Sequence, residues 1–177
     1  MAINGKFILT GTQFSPLILP GIGHFMAFSG NNHYRNRPAC ASIPFNGPLP
    51  LGLYYIVKRP TNGVKSMLYN MSREFWSWPG SSPVVHAEWF GLFRHDALID
   101  DYTFIEGTKR GNFRLHPIGP AGISQGCITL QYRSDFLKIR QALMTYTYGN
   151  KNIPGTSFYS YGTIEVIDGS VSDACSA

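Results

Sequence analysis

His116 and Cys127 stand eleven positions apart, and the segment between them is rich in glycine and proline: Pro117-Ile118-Gly119-Pro120-Ala121-Gly122-Ile123-Ser124-Gln125-Gly126. A thiol with an ordinary pKa of about 8.5 is mostly protonated at neutral pH, so a neighbouring imidazole that takes its proton makes it a nucleophile. A stiff loop of this kind can bring the two side chains within hydrogen-bond reach. Gly126 lets the backbone bend so that N–H groups around Cys127 aim at a developing oxyanion, and Ser124 can donate a further hydrogen bond or tie the loop. As bare pattern two readings stand, a catalytic pair or a buried thiol beside a satisfied histidine. Arg114 lies two residues before His116 on an expected strand and shares its face. It could meet a substrate carboxylate or close a surface salt bridge.

The other chemically able residues read as structural. Cys40 and Cys175 lie far from Cys127 and from each other, which argues against a disulfide framework, although one bridge between them stays open. His24, His33, His86 and His95 join His116 without any His-x-x-His spacing, and no Cys-x-x-Cys is present, so a metal is disfavoured and no cofactor is implied. Asp100-Asp101 reads as a turn rather than an acid pair.

Short segments of β-branched and aromatic residues must position the pair. Strands are expected at 6–10, 24–28, 53–58, 64–69, 84–93, 102–105, 112–116 and 158–167, and a further strand starts just after Cys127. Thr61-Asn62-Gly63 favours a hairpin between 53–58 and 64–69. One helix is expected from Asp135 to about Tyr146, capped by Ser134 and stopped at Gly149-Asn150, with Phe136, Ile139, Leu143 and Met144 on one apolar stripe. The segments 31–50 and 71–83 read as loops. The second holds Phe75-Trp76-Ser77-Trp78, whose rings either pack or wall a cleft. No linker divides the chain, so 1–177 reads as one domain with a lid-like lobe near 71–83: mainly β, mixed sheets packed together, one helix outside.

Composition narrows the function classes. Hydrophobic residues make up 44% and charged residues 14% of the 177, which permits a sizeable core and argues against wholesale disorder. The formal charge of +5 suits an anionic partner, but the basic residues are scattered and no basic-aromatic module supports nucleic-acid binding. The start, Met1-Ala2-Ile3-Asn4-Gly5-Lys6, has no long apolar run of a secretory signal, and no segment approaches the roughly twenty apolar residues of a membrane span. Synthesis in the cytoplasm without an ordinary export signal is expected.

The Cys127 segment resembles the signature of the YkuD-type L,D-transpeptidases. Ser29-Gly30, Arg35-Asn36-Arg37-Pro38, Gly47-Pro48-Leu49-Pro50-Leu51-Gly52-Leu53-Tyr54-Tyr55-Ile56, Arg110-Gly111-Asn112-Phe113-Arg114-Leu115-His116-Pro117 and Ser124-Gln125-Gly126-Cys127-Ile128-Thr129-Leu130 together look like the type VI secretion L,D-transpeptidase effectors. That resemblance implies Cys127 as nucleophile and His116 as base and later acid, acting between diaminopimelate and D-alanine of peptidoglycan tetrapeptide stems. Attack by water would give L,D-carboxypeptidase activity, and attack by a free D-amino acid would give exchange. It also implies carriage by a contractile secretion machine, action in a target-cell periplasm, and a cognate immunity protein.

The chain departs from the general transpeptidase pattern at two positions. Gln125 stands where many of those enzymes carry the catalytic histidine, and Thr129 where they often have arginine. Gln125, Arg114, Trp76 and Trp78 are candidates for substrate contact. Asp96, Asp100, Asp101 or a backbone carbonyl could orient His116. Two rivals remain at this level: a general cysteine peptidase or amidase of the wall, and a non-catalytic wall-binding module.

Overall fold

A computed structural model describes residues 3–59, 88–145, 151–171 and 174–175. The first strands, β1 (Ile3–Leu9), β2 (Ser15–Leu19) and β3 (Gly23–Phe28), form an antiparallel meander. They are followed by β4 (Gly52–Lys58), β5 (Phe90–Arg94), β6 (Tyr102–Ile105), β7 (Thr108–Gly111), β8 (Arg114–Pro117) and β9 (Ile128–Leu130). Helix α1 (Arg133–Thr145), β10 (Lys151–Asn152) and the long β11 (Tyr159–Asp168) complete the chain.

The mixed sheet runs in the order β1-β2-β3-β9-β8-β5-β4-β11 and closes where β11 pairs with β1, with β10 added beside β11. Two pairings, β1–β11 and β8–β9, are parallel. The expected β-rich architecture with one helix is therefore present, and its sheet is a closed barrel, which leaves few unpaired edges. Alternation fills the interior: Phe7, Leu9, Leu17, Leu19, Ala27, Tyr54, Ile56, Leu92, Leu115, Ile128, Leu130, Ile164 and Val166 form one buried cluster. Helix α1 contacts β8, β9 and β11, which stand on opposite sides of the ring, so it lies across one end of the barrel. Its Phe136, Ile139 and Leu143 join the same core, each worth about 1.5–3 kcal/mol of burial.

Most expected strands lie within a few residues of observed ones, and the misses have local causes. β2 begins Ser15-Pro16, and a proline near a strand start is tolerated there although it reads as a break. β7 pairs with β6 around Glu106-Gly107, both at positive φ (49° and 76°), the geometry of a tight hairpin. The expected 64–69 strand and its Thr61-Asn62-Gly63 turn lie outside the described residues, and both edges of β4 are taken by β11 and β5. Helix α1 starts earlier than expected. The Phe136 N–H donates to Tyr132 C=O, so Ser134 sits inside the first turn and does not cap it. The Trp76 and Trp78 loop, residues 84–87 of the expected 84–93 strand, and the Gly149-Asn150 stop also fall outside the described residues.

The 31–50 loop is pinned from three sides. Asn36, buried at φ 56°, accepts from the Ser29 N–H at 2.8 Å and donates to Thr12 C=O at 2.8 Å. The buried Arg110 donates to the carbonyls of Ala41, Gly47 and Pro48. Cys40 is bridged to Cys175, which resolves the question the cysteine count left open and ties the C-terminal end to this loop. Cross-linking residues 135 apart in sequence removes much unfolded-chain freedom, so reduction or Cys175→Ser is expected to cost about 2–4 kcal/mol. Thermal unfolding with and without reductant should show a fall of roughly 5–15 °C.

Candidate active site

The strand pair β8–β9 positions the candidate residues. Its parallel register sets Leu115 against Ile128 and His116 against Thr129, and one step back places Arg114 beside Cys127. Leu115, Ile128 and Leu130 point into the barrel, so alternation turns Arg114, His116, Cys127 and Thr129 to its outer face. Strand spacing of about 4.8 Å and two-residue repeats of about 6.6 Å put the Cα atoms of His116 and Cys127 about 8 Å apart on the diagonal, within reach of an imidazole and a thiol. This outer face is nevertheless covered: His116 and Arg114 are each 4% exposed and Thr129 is fully buried.

His116 is held from three directions. Its Nδ1 lies 2.8 Å from the Pro117 carbonyl, which can only accept, so Nδ1 carries the proton. Nε2 is then the basic nitrogen, and the Thr129 hydroxyl reaches it at 3.3 Å. Trp89 stacks on the ring with centroids 4.2 Å apart and planes 18° from parallel. The orienting partner is thus a backbone carbonyl. The three aspartates considered from sequence are engaged elsewhere: Asp96 with Thr103 and Arg94, Asp100 with the Tyr102 N–H, and Asp101 with Arg114.

Cys127 is the free cysteine of the described residues and is partly exposed. Burial pushes its thiol up to about 11. The Arg114 charge and backbone N–H oppose that shift, Asp101 reinforces it, and Arg110 opposes it more weakly. Its Sγ lies 3.8 Å from the Asn112 carbonyl, an acceptor that further favours the protonated form. The residual solvent contact of the side chain softens the desolvation without reversing it. An unaided Cys127 is therefore a poor thiolate at neutral pH, and any nucleophilic role needs a base.

The turn leading into Cys127 depends on Gly126. Its φ is +104°, and a Cβ there would stand 2.7 Å from Arg110 Nη2 and 2.9 Å from Phe113 Cε1. The buried Ser124 hydroxyl donates to the Cys127 carbonyl at 2.9 Å, which is the loop-tying arrangement. Gln125 is half-buried between them. Arg35, 4.1 Å over the Phe28 ring, donates to Gly122 C=O at 2.8 Å and fixes the middle of the His116–Cys127 connection.

Arg114 forms a two-pronged ion pair with Asp101, at 2.5 and 2.6 Å, and also donates to Phe113 C=O. His24, His33 and His95 are exposed, and His86 lies outside the described residues, as do Trp76 and Trp78. Sequence reasoning missed Trp89, Arg59 and Arg110. Trp89 was hidden inside a segment read simply as strand, and nothing in the residues around Arg59 or Arg110 announces their long-range partners. Among the described residues no group of three or more His, Cys, Asp or Glu side chains comes together as a metal site requires.

A ring stacked on His116 limits its rotation. Trp89→Ala is expected to lower kcat about ten- to a hundredfold with KM within about twofold, and Trp89→Phe to restore most of it. Steady-state kinetics of the two variants would show this.

The Tlde1 domain family model matches residues 23–156, which takes in the barrel wall carrying His116 and Cys127, the 31–50 loop and α1. The chain belongs to the Tlde1 domain family. Membership makes it a type VI secretion effector of the L,D-transpeptidase-like kind, acting on peptidoglycan and countered by an immunity protein. No match was found among curated proteins. Among the described residues of this Tlde1 domain, no helix is long and apolar enough to cross a membrane.

Proposed function

We propose that this protein is a cysteine-dependent L,D-carboxypeptidase and D-amino acid exchange enzyme of peptidoglycan tetrapeptide stems. The observation that carries this is the outward-facing group on β8–β9: Cys127 diagonal to a His116 whose Nδ1–H is committed to a carbonyl, leaving Nε2 as the base.

In this mechanism His116 Nε2 takes the Cys127 proton, and the sulfur attacks the carbonyl joining the L-centre of diaminopimelate to D-alanine. N–H groups around Cys127, aimed by the Gly126 bend, receive the oxyanion. Collapse breaks the C–N bond, His116 returns the proton to the leaving D-alanine amine, and a thioester remains on Cys127. Water, deprotonated by the same imidazole, releases a tripeptide, and a free D-amino acid in its place gives exchange. The long Thr129–Nε2 contact can yield to the thiol, since it is near the limit of a useful hydrogen bond.

Kinship with YkuD-type enzymes enters as a resemblance of the Cys127 segment, with Gln125 and Thr129 in altered positions. In this reading Gln125 supports the turn, and the imidazole comes from the neighbouring strand. The Cys40–Cys175 bridge suits action in an oxidising compartment such as a periplasm. Delivery by a contractile apparatus, and capture by its component, belong to the same proposal.

Product identity tests it. Mass spectrometry of muropeptides treated with the purified protein should show tetrapeptides becoming tripeptides with free D-alanine. Cleavage at another bond, such as the sugar–peptide amide, would make it a different wall amidase.

A further inference from the structure

Three arginines surround Cys127, and they differ in how far they are already engaged. Arg110 is buried and donates to three main-chain carbonyls. Arg114 is buried, paired through both terminal nitrogens with Asp101, and bonded to Phe113 C=O. Neither can turn to a ligand without breaking a buried contact. Arg59, just past the end of β4, is different. It is half-exposed, its guanidinium lies 5.5 Å from the centre of the Trp89 ring, and it makes no hydrogen bond or ion pair among the described residues. Trp89 in turn stacks on His116. Arg59 is also close enough to Cys127, Asp101 and Arg114 to interact with their charges.

An arginine held against an aromatic face keeps the edge of its fork open, and that edge matches a carboxylate through two parallel N–H···O bonds. On the proposed reading of the site as a stem-peptide cleaving centre, we infer that Arg59 receives a free carboxylate of the donor peptide. Arg114 was the carboxylate candidate from sequence, and its ion pair with Asp101 leaves it the task of holding charge beside Cys127. Two carboxylates on the residues that flank the scissile bond share this chemistry: the terminal one on the leaving D-alanine and the one on the diaminopimelate side chain. Recognition of the first would also set a preference for tetrapeptides over longer stems.

Binding separates this inference from the catalytic one. Calorimetry on Cys127→Ala protein would use three probes: a tetrapeptide stem, its D-alanine carboxamide, and its diaminopimelate side-chain amide. One of the two amides is expected to bind about ten- to a hundredfold more weakly than the tetrapeptide, and the one that does identifies the carboxylate. Adding Arg59→Ala should weaken the tetrapeptide by the same factor and leave that amide unchanged, and Arg59→Lys should recover part of the loss. Equal weakening of all three peptides by Arg59→Ala, or no effect of either amide on the parent, would overturn the inference. Should Arg59→Ala melt early, Arg59→Lys and the amide series on the parent still decide it. If carboxylate discrimination holds while wild-type protein releases no D-alanine, the reaction is wrong and Arg59 stands. Absence of binding by every probe would sink the carboxylate site, whatever bond the enzyme cleaves.

Discussion

Cys127→Ala is expected to lower D-alanine release from tetrapeptide stems by about 10⁴-fold or more, to background. No other free thiol exists among the described residues, and loss of a covalent nucleophile leaves only binding and oxyanion contacts. His116→Ala should cost about 10²–10⁴-fold, the range for a general acid–base group. The thiol supplies an independent check through its reaction with iodoacetamide. With burial raising it to about 11, Cys127 without its base is protonated at neutral pH and gains thiolate only as pH rises toward that value. In His116→Ala the alkylation rate should climb about tenfold per pH unit between roughly 7 and 10. Wild-type protein should alkylate faster at pH 7 and depend less steeply on pH. Identical profiles for the two would mean that His116 does not share a proton with Cys127.

The second large effect concerns Arg110, which touches no substrate in this account. It is 4% exposed, it donates to the carbonyls of Ala41, Gly47 and Pro48, and its Nη2 underlies Gly126. Truncation to Ala leaves those buried acceptors short of donors and opens a void beneath the Cys127 turn. Arg110→Ala is expected to cost about 3–5 kcal/mol, seen as a fall in Tm of roughly 10 °C or more. Turnover should fall with it even where the variant remains folded, because the Gly126 bend loses its floor. Arg110→Lys keeps the charge but not the planar fork, and should recover only part of both. A variant as stable and active as wild type would show that the 31–50 loop does not need this clamp.

The strand and helix content was readable because it follows from local pattern: alternation in 53–58 and 158–167, and the Phe136, Ile139, Leu143 stripe of α1. Closure of the sheet was not, since pairing of β1 with β11 joins the two ends of the chain and has no local signal. The site divides the same way. The strand end at His116 and the new strand just after Cys127 were legible on either side of a Gly/Pro-rich connection, and the Gly126 bend from glycine's freedom at positive φ. What covers and charges the site was not legible. Asp101 and Trp89 reach Arg114 and His116 from other parts of the chain, and Arg59 is brought in over Trp89. Ser134 shows the opposite failure, a good capping residue overruled by a helix that begins two residues earlier, at Arg133.

The thioester is the most direct test of the account. Wild-type protein mixed with tetrapeptide stems, quenched in acid and mapped by peptide mass spectrometry, should carry the tripeptide acyl group on Cys127. The Cys127→Ala protein should carry none. An acyl group on another residue, or D-alanine release that continues after Cys127 is fully alkylated, would contradict the account.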